Sequence, residues 1–209
     1  MAFALTPGDR MTSSLTPRIG CVVLAAGGAK RFGGEKLLAQ FDGRPLLQHA
    51  IDAACGADVL TCTLVLGSRA ERIASTIDTR RCVIAFNKDW KRGMAASLSC
   101  GLREHRDDDG CIIMLGDQPN VSAADLDALI EHFTRDQQRI VVLRAGEVWG
   151  APVLFPRGDF SGLRALRGDA GAKRYIEKKR GRVTFVEALS GDAFADVDTR
   201  NDLIRLTGS

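Results

Sequence analysis

The chain has 209 residues, a length that suits one α/β domain with a substantial core, or two small domains. Its composition, 45% hydrophobic and 26% charged, is ordinary for a soluble globular protein. The net charge of +3 argues against a protein that coats nucleic acid or binds a membrane surface, where basic residues are in clear excess. We therefore expect no nucleic acid and no membrane among the partners, and no apolar run approaches the roughly 20 residues of a membrane span.

The first segment, residues 1–17, is predicted to be a disordered leader. Pro7, Gly8 and Pro17 interrupt a stretch that has little hydrophobic pattern. The same stretch lacks the apolar core of a secretory signal, so we expect a cytoplasmic protein.

The six cysteines, at positions 21, 55, 62, 82, 100 and 111, contain no C-x-x-C pair. Cys21, Cys62, Cys82 and Cys111 fall in apolar stretches that are typical of strands. We interpret them as small buried hydrophobic residues in a reducing compartment rather than as a disulfide or zinc framework.

Strand-like and helix-like segments alternate after the leader. In chain order they are a strand at 19–25, a helix at 45–57, a strand at 60–66, a helix at 69–77, a strand at 82–86, a helix at 94–104, a strand at 111–115, a helix at 122–133 and a strand at 139–143. The pattern then loosens into a strand at 153–155, helices at 160–166 and 172–180, a strand at 182–187 and a helix from 199. Ser122 and Asp125 have the spacing of a capping box at a helix start.

This alternation predicts an α/β fold with three layers, in which helices cover both faces of a mostly parallel sheet. No linker interrupts the pattern, so we expect a single domain over 18–209. Ligands of such sheets bind beyond the carboxyl ends of the strands, where the strand order reverses. In a 3-2-1-4 order, the first and fourth strands would border that point.

The loop after the first strand, residues 24–38, reads LAAGGAKRFGGEKLL. Its four glycines and three cations are typical of a phosphate cradle, although a plain solvent loop is the alternative. The glycine spacing fits neither the dinucleotide fingerprint nor the P-loop, which argues against a Rossmann dehydrogenase. Arg31 and Lys36 are the favoured phosphate-binding cations, with Lys30 a weaker one.

Asp117 directly follows the fourth predicted strand, in the segment Gly-Asp-Gln-Pro. A carboxylate beside polyphosphate is a usual way to hold Mg²⁺, so we predict Asp117 as a metal ligand. The alternative is an Asx-turn, which Gly-Asp and Gln-Pro also favour.

The pattern L-A-A-G-x-x-x-R-x-G-x-x-K, residues 24–36, resembles the signature loop of nucleotidyltransferases that activate sugars, isoprenoid precursors and the molybdenum cofactor. Within that superfamily, the chain is most similar to the molybdenum cofactor cytidylyltransferase family. Further similar segments follow in the family's order at 93–102, 115–119, 150–155, 166–173 and 196–203. The resemblance implies a Rossmann-like nucleotidyltransferase fold and covers nearly the whole chain. It also implies a nucleotide-binding part at about 18–120 and an acceptor-binding part at about 121–209.

The resemblance also implies roles for individual residues. Those that would contact the nucleotide are Leu24, Ala25, Ala26, Gly27, Gly28, Arg31, Lys36, Gly93 and Ser97, of which Arg31 and Lys36, with Asp117, would be catalytic. Mg²⁺ would bind Asp117 and Asp198, with Asp196 as the alternative to Asp198. Two simpler interpretations stay open: Ser97 faces solvent or caps locally, and Asp198 caps the last helix with Thr199.

The residues expected to bind the acceptor are Gly150, Pro152, Asp169 and Lys173. Ala151 stands where many relatives have His, so the acceptor pocket departs from the family pattern, and Arg200 replaces the usual Pro. The pair Ala25–Ala26 is similar to the cytidylyl type, whereas residues 32–38 also resemble the guanylyl type.

The resemblance therefore implies transfer of CMP from CTP to the phosphate of molybdopterin, with release of pyrophosphate. The alternatives are GMP transfer from GTP, another phosphorylated acceptor, or a non-catalytic factor that delivers cofactor to a target molybdoenzyme. The remaining polar residues are given no catalytic part. His49, His105 and His132 lack metal-binding spacing, and the run at 107–109 is predicted to be a solvated turn.

Overall fold

The computed structural model describes residues 16–28, 32, 35–169, 172–195, 197, 199 and 202–203. The strands are β1 Ile19–Ala25, β2 Gln40–Phe41, β3 Arg44–Pro45, β4 Thr61–Leu66, β5 Cys82–Phe86, β6 Gly110–Leu115, β7 Ile140–Ala145, β8 Val148–Pro156 and β9 Val183–Glu187. The α-helices are α1 Leu46–Gly56, α2 Ala70–Thr76, α3 Met94–Gly101, α4 Ala123–Arg135, α5 Phe160–Arg164 and α6 Lys173–Lys178. Across these residues, the model contains no helix with the length and apolar character that a membrane crossing needs.

The central sheet has seven strands in the order β5-β4-β1-β6-β8-β7-β9. The first four in this order are mutually parallel, and β1 lies between β4 and β6. The predicted 3-2-1-4 order is therefore correct. Strand β8 runs antiparallel to both β6 and β7, and β9 is parallel to β7. The sheet is mostly parallel, as predicted.

Two apolar clusters cover the two faces of the sheet. On one face, Leu47 of α1 and Leu129 of α4 pack in one cluster with the strand residues Val23 and Leu64. On the other face, Leu98 of α3 and Phe160 of α5 pack with strand residues such as Val22. Alternate residues of each strand point to opposite faces, and this explains why Val22 and Val23 belong to different clusters. The three-layer α/β prediction is confirmed.

Two segments differ from their predictions. The helix predicted at 94–104 ends at Gly101, which packs so closely on β1 that a Cβ there would lie 2.5 Å from Val22 Cγ1. The short strand predicted at 153–155 is part of a nine-residue strand that starts at Val148, just after a turn with left-handed Gly146. Its polar and small residues interrupt the apolar pattern and hide its length. The helix predicted from 199 lies largely outside the described residues, as does the leader.

The capping box is confirmed, because the Ser122 hydroxyl accepts a hydrogen bond from the Asp125 N–H and the Asp125 carboxylate accepts one from the Ser122 N–H. The solvated turn predicted at 107–109 is wrong for Asp108. Asp108 is 5% exposed, and its carboxylate lies 2.8 Å from Nδ1 of His105, whose Nε2 lies 3.0 Å from the Thr63 hydroxyl. The buried polar groups satisfy one another, and the cluster lies at the amino-terminal ends of the strands.

Candidate nucleotide-binding site

A cleft of about 610 Å³ opens at the carboxyl ends of β1 and β6. This is the position at which parallel sheets of this order bind ligands. Its walls are Leu24, Ala25, Ala26, Gly27, Gly28, Lys36, Leu37, Trp90, Lys91, Gly93, Met94, Ser97, Leu115, Asp117 and Asp169. The cleft therefore brings together the predicted nucleotide residues that lie within the described part of the chain.

The central polar contact of the cleft joins Lys36 to Asp117. Lys36 begins a short 3-10 turn, Lys36–Leu38, and its Nζ donates to Asp117 Oδ2 over 2.6 Å. The side chains are 9% and 28% exposed, so this is a largely buried cation beside a carboxylate that reaches the cleft. Asp117 follows β6, and the Gly116 N–H donates to the Leu24 carbonyl at 3.0 Å, which ties the two strand ends together.

Glu35, next to Lys36 in the chain, is paired elsewhere. Its Oε1 lies 2.5 Å from Arg72 Nε and 3.2 Å from an Arg69 guanidinium nitrogen. The hydrogen bond from Arg72 holds the pKa of Glu35 below its ordinary value. Glu35 is not part of the cleft wall, so Asp117 is the carboxylate that faces Lys36 there.

The glycine loop lies against an aromatic residue that sequence analysis missed. A Cβ on Gly28 would lie 3.3 Å from the Trp90 ring, and a Cβ on Gly67 would lie 2.6 Å from Trp90 Cβ. Trp90 is half-buried, and Lys91 Nζ lies 5.6 Å from the centre of its ring. The sequence feature that could have indicated Trp90 is a single tryptophan in the otherwise polar segment 87–93, between a predicted strand and a predicted helix.

The start of α3 forms the opposite wall. Gly93 has φ 99° and ψ −179°, a backbone conformation that essentially only glycine adopts. A Cβ there would lie 2.4 Å from the Gly168 carbonyl carbon, and the Ala95 N–H donates to the Gly168 carbonyl. The same close approach brings Asp169, predicted as an acceptor residue, to the nucleotide cleft.

Ser97 lies one turn further along α3 and is 5% exposed. Its hydroxyl accepts a hydrogen bond of 3.0 Å from the amide nitrogen of Asn87, just after β5. The interpretation of Ser97 as a solvent-facing or locally capping residue is therefore wrong. Its contact with a base stays a prediction.

A second, apolar pocket of about 160 Å³ adjoins the cleft. The two share Leu24, Met94 and Leu115 as wall residues. Of the predicted acceptor residues, Gly150 and Lys173 line this pocket, whereas Pro152 is buried in β8 and is not part of its wall. Trp149 forms a further part of the wall, and Lys173 Nζ lies 5.0 Å from the centre of a Trp149 ring.

The oxygen atoms near Asp117 suit a hard divalent cation. The buried side-chain oxygen of Gln118, the next residue, has no hydrogen-bond partner within the described part of the chain, but Gln118 is not part of the cleft wall, so Asp117 is the residue that would hold the ion there. Carboxylate and amide oxygens are the ligands that Mg²⁺ takes, usually with water and substrate oxygens. Arg31, Asp196 and Asp198 lie outside the described residues, so their roles stay predictions from the resemblance.

Residues 21–183 match the family model described as the MobA-like NTP transferase domain. The chain is 27% identical over 203 residues to the nicotine blue oxidoreductase of Paenarthrobacter nicotinovorans, covering 91% of this chain and 97% of that protein. It is also 27% identical over 197 residues to the purine catabolism protein PucB of Bacillus subtilis (strain 168), covering 88% and 94%.

Among solved structures, Rv0371c from Mycobacterium tuberculosis H37Rv matches with a TM-score of 0.81 and 32% identity, covering 93% of this chain and all of that one. Another structure of Rv0371c, a complex with manganese, matches with a TM-score of 0.77 and 30% identity, covering 92% and 99%. These similarities confirm the family and the fold that the sequence motifs predicted.

Proposed function

Because the chain belongs to the MobA-like NTP transferase family and is a nucleotidyltransferase of that type, we propose that it transfers CMP from CTP to the phosphate of molybdopterin and releases pyrophosphate. The acceptor would be bare molybdopterin or the molybdenum cofactor. One observation carries the proposal: the Lys36–Asp117 pair and the Gly27–Gly28 loop line one cleft at the point where the strand order reverses.

The roles in the cleft follow from charge. The backbone of Gly27 and Gly28 would receive the triphosphate, and Lys36 and Arg31 would stabilise the negative charge that moves toward the pyrophosphate. Asp117 would exchange its contact with Lys36 for a divalent ion, in the cofactor role for which we propose Mg²⁺. When bound, that ion neutralises phosphate oxygens and orients them. Members of this family use a divalent ion, and the manganese complex of Rv0371c supports the same type of cofactor here.

The transfer itself needs no side-chain nucleophile. An oxygen of the acceptor phosphate would form a bond to the α-phosphorus of CTP, while the bond from the α-phosphorus to the bridging oxygen breaks and pyrophosphate leaves. Holding both reactants in line supplies much of the acceleration. The shared walls at Leu24, Met94 and Leu115 support this arrangement, since they place the two pockets side by side.

The acceptor would occupy the apolar pocket beside the cleft. A flat pterin ring suits the face of Trp149, and the ammonium of Lys173 suits an anionic phosphate. The division into a nucleotide part at about 18–120 and an acceptor part at about 121–209 is proposed on the same basis, although Asp169 of the second part lines the nucleotide cleft. Six cysteines with free thiols suit a reducing compartment, which supports the cytoplasm, with a molybdoenzyme as the eventual recipient.

The choice of CTP rests on Ala25 and Ala26, which form part of the cleft wall and are similar to the cytidylyl type. GMP transfer from GTP is the alternative. The name of the Paenarthrobacter relative, an oxidoreductase, favours redox chemistry as a second candidate, and this candidate predicts binding of a nicotinamide cofactor.

The chain has two tryptophans, one beside each pocket, so binding to each can be followed separately. In a Trp149→Phe variant only Trp90 emits, and we expect CTP with Mg²⁺ to change its fluorescence at lower concentration than GTP does. A GTP response at lower concentration than that of CTP would reverse the base assignment. A response to NADH and none to either nucleoside triphosphate would favour the redox candidate and contradict the proposal.

A further inference from the structure

Three cysteine side chains from three different elements converge on one face of the sheet. Cys55 lies in the last turn of α1, Cys62 near the start of β4 and Cys82 at the start of β5. Cys82 Sγ is 3.7 Å from Cys55 Sγ and 3.7 Å from Cys62 Sγ, and all three sulfurs lie within 4.8 Å of one another. The chain places the three thiols far apart in sequence, which is why no metal-binding spacing was visible there.

The cluster lies away from the nucleotide cleft. Cys62 and Cys82 are at the amino-terminal ends of their strands, which pair in parallel register, whereas the cleft opens at the carboxyl-terminal ends of β1 and β6. None of the three cysteines lines that cleft. A role in nucleotidyl transfer therefore does not account for the convergence.

The separations match those of a metal thiolate. With Zn–S bonds of about 2.3 Å, two thiolates at tetrahedral angles lie about 3.8 Å apart. The distances of 3.7 Å from Cys82 Sγ to the other two sulfurs already meet this value, and only the third pair, within 4.8 Å, has to close slightly. We propose that Cys55, Cys62 and Cys82 form a three-thiolate site for a soft divalent ion, Zn²⁺, with a water molecule at the fourth position.

The exposure of the three residues suits this coordination. Cys62 is 3% exposed and would hold the ion from the sheet, whereas Cys55 and Cys82 are half-buried and leave a path from solvent. A guanidinium nitrogen of Arg81 donates to the Cys55 carbonyl, so a positive charge lies next to the site. Three thiolates and one Zn²⁺ carry a net charge of −1, which Arg81 offsets.

A bound metal ion would remove the protons of all three thiols, because coordination to a metal deprotonates a thiol outright.

The site would act as a structural clamp. The bound ion would join the end of α1 to β4 and β5, the two outermost strands on that side of the sheet. An ion that binds the folded chain and not the unfolded one stabilises it by RT ln(1 + c/Kd), where c is the free ion concentration, so the melting temperature rises with the logarithm of c once c exceeds Kd. Zn²⁺ should therefore stabilise the chain whether or not nucleotide is present.

The test uses the full chain, reduced and freed of metal by a chelator, and titrated without oxygen with Co²⁺ as the spectroscopic probe. We expect one Co²⁺ per chain, a near-ultraviolet sulfur-to-cobalt charge-transfer band, and displacement of that band by one equivalent of Zn²⁺. Cys55→Ser should weaken binding by at least about 100-fold and abolish the rise in melting temperature with Zn²⁺. Cys82→Ser should do the same, and Cys100→Ser, which alters a half-buried thiol of α3 outside the cluster, should bind as the wild type does.

Far-ultraviolet circular dichroism of each variant checks folding, and the partly exposed Cys55 and Cys82 are chosen because their serine variants keep a small side chain in place. The proposal is overturned if the charge-transfer band does not form in the reduced chain. It is also overturned if the band persists unchanged in both Cys55→Ser and Cys82→Ser, because the thiols would then be in packing contact only. Neither result bears on nucleotidyl transfer, since the assay contains no nucleotide.

Discussion

The nucleotide cleft and the apolar pocket beside it differ in size and in the kind of residue that forms their walls. The cleft, about 610 Å³, contains the Lys36–Asp117 pair. Lys36 lies in the segment that follows β1, and Asp117 lies just after β6. The pocket, about 160 Å³, is enclosed chiefly by apolar side chains and bears Trp149 and Lys173 at its edge. In the proposed function, the cleft carries out the phosphate chemistry and the pocket recognises the acceptor. Changes in the cleft should abolish turnover with any acceptor, and changes in the pocket should alter which acceptor is used.

The largest effect is expected from Asp117→Ala. Loss of the carboxylate removes the proposed metal ligand, and turnover should fall by about 100- to 1,000-fold, the range seen when one electrostatic group of an active site is removed. The turnover of the variant is measured as the rate of pyrophosphate release at saturating CTP and Mg²⁺. Since Lys36 is 7% exposed and would lose its 2.6 Å contact, Asp117→Asn serves as a second variant that retains an oxygen there.

Asp58→Ala is the matched control for Asp117. Asp58 is exposed and lies just before β4, at the opposite end of the strands from the cleft. Its removal should leave pyrophosphate release unchanged. Turnover near the wild-type value in both Asp117 variants, with normal circular dichroism, would rule out Asp117 as the metal ligand. The cleft would then not differ from the apolar pocket in the way proposed.

The next effect is on the cleft wall at Gly93. Gly93→Ala forces a side chain into a backbone conformation with φ 99° and against the Gly168 carbonyl group, which should cost about 3 kcal/mol of unfolding free energy. Gly146→Ala is the control, because Gly146 has φ 57° and a Cβ there meets nothing within 4 Å. It should cost only about 1–2 kcal/mol, the penalty of the left-handed conformation itself. Urea denaturation measures both, and equal costs would contradict the close packing of Gly93 on Gly168.

A smaller and more selective effect is expected in the apolar pocket. Trp149→Leu keeps an apolar side chain but removes the ring face, so the KM for the acceptor should rise about 10-fold, as for loss of one aromatic contact of about 1.5 kcal/mol. The KM for CTP should not change. Steady-state kinetics with each substrate varied in turn separates the two. An equal rise in both KM values would mean that the pocket and the cleft act as one site.

The smallest effect is expected from Lys173→Ala. Lys173 is exposed, and an ion pair between its ammonium and the acceptor phosphate would be worth about 0.2–1 kcal/mol at such a position. The KM for the acceptor should therefore rise about 3-fold, more at low salt than at high salt because the charge is screened. Lys178→Ala, in the same helix and also exposed, is the control. An effect of Lys178→Ala as large as that of Lys173→Ala would assign the change to net charge and not to position.

The parallel half of the fold could be predicted from sequence because each apolar strand is followed by a helix, and short connections of this kind leave few arrangements. This reasoning gave β1, β4, β5 and β6 in their correct order. It failed at β8, where the segment Trp149, Gly150, Ala151 and Pro152 carries no strand pattern, because its neighbours in the sheet and not its own alternation hold it extended.

The candidate site was predictable where its residues directly follow strands of the parallel sheet. Lys36 and Asp117 follow strands whose order was known, so their meeting could be expected. Trp90 and the contact of Gly93 with Gly168 could not, because they depend on how two loops pack against each other. The three cysteine sulfurs show the same limit, since a helix end and two strand starts meet only in the folded chain.

The most direct test of the central claim is transfer of the α-phosphoryl label of CTP to molybdopterin. With Mg²⁺ and both substrates, we predict labelled CMP-molybdopterin and an equal amount of pyrophosphate. Neither product should form when molybdopterin is omitted, and both should form about 100- to 1,000-fold more slowly when Asp117→Ala replaces the wild type. Label transfer from GTP instead of CTP would show that the chain transfers GMP and not CMP. No pyrophosphate from either nucleotide in the presence of molybdopterin would contradict nucleotidyl transfer to this acceptor.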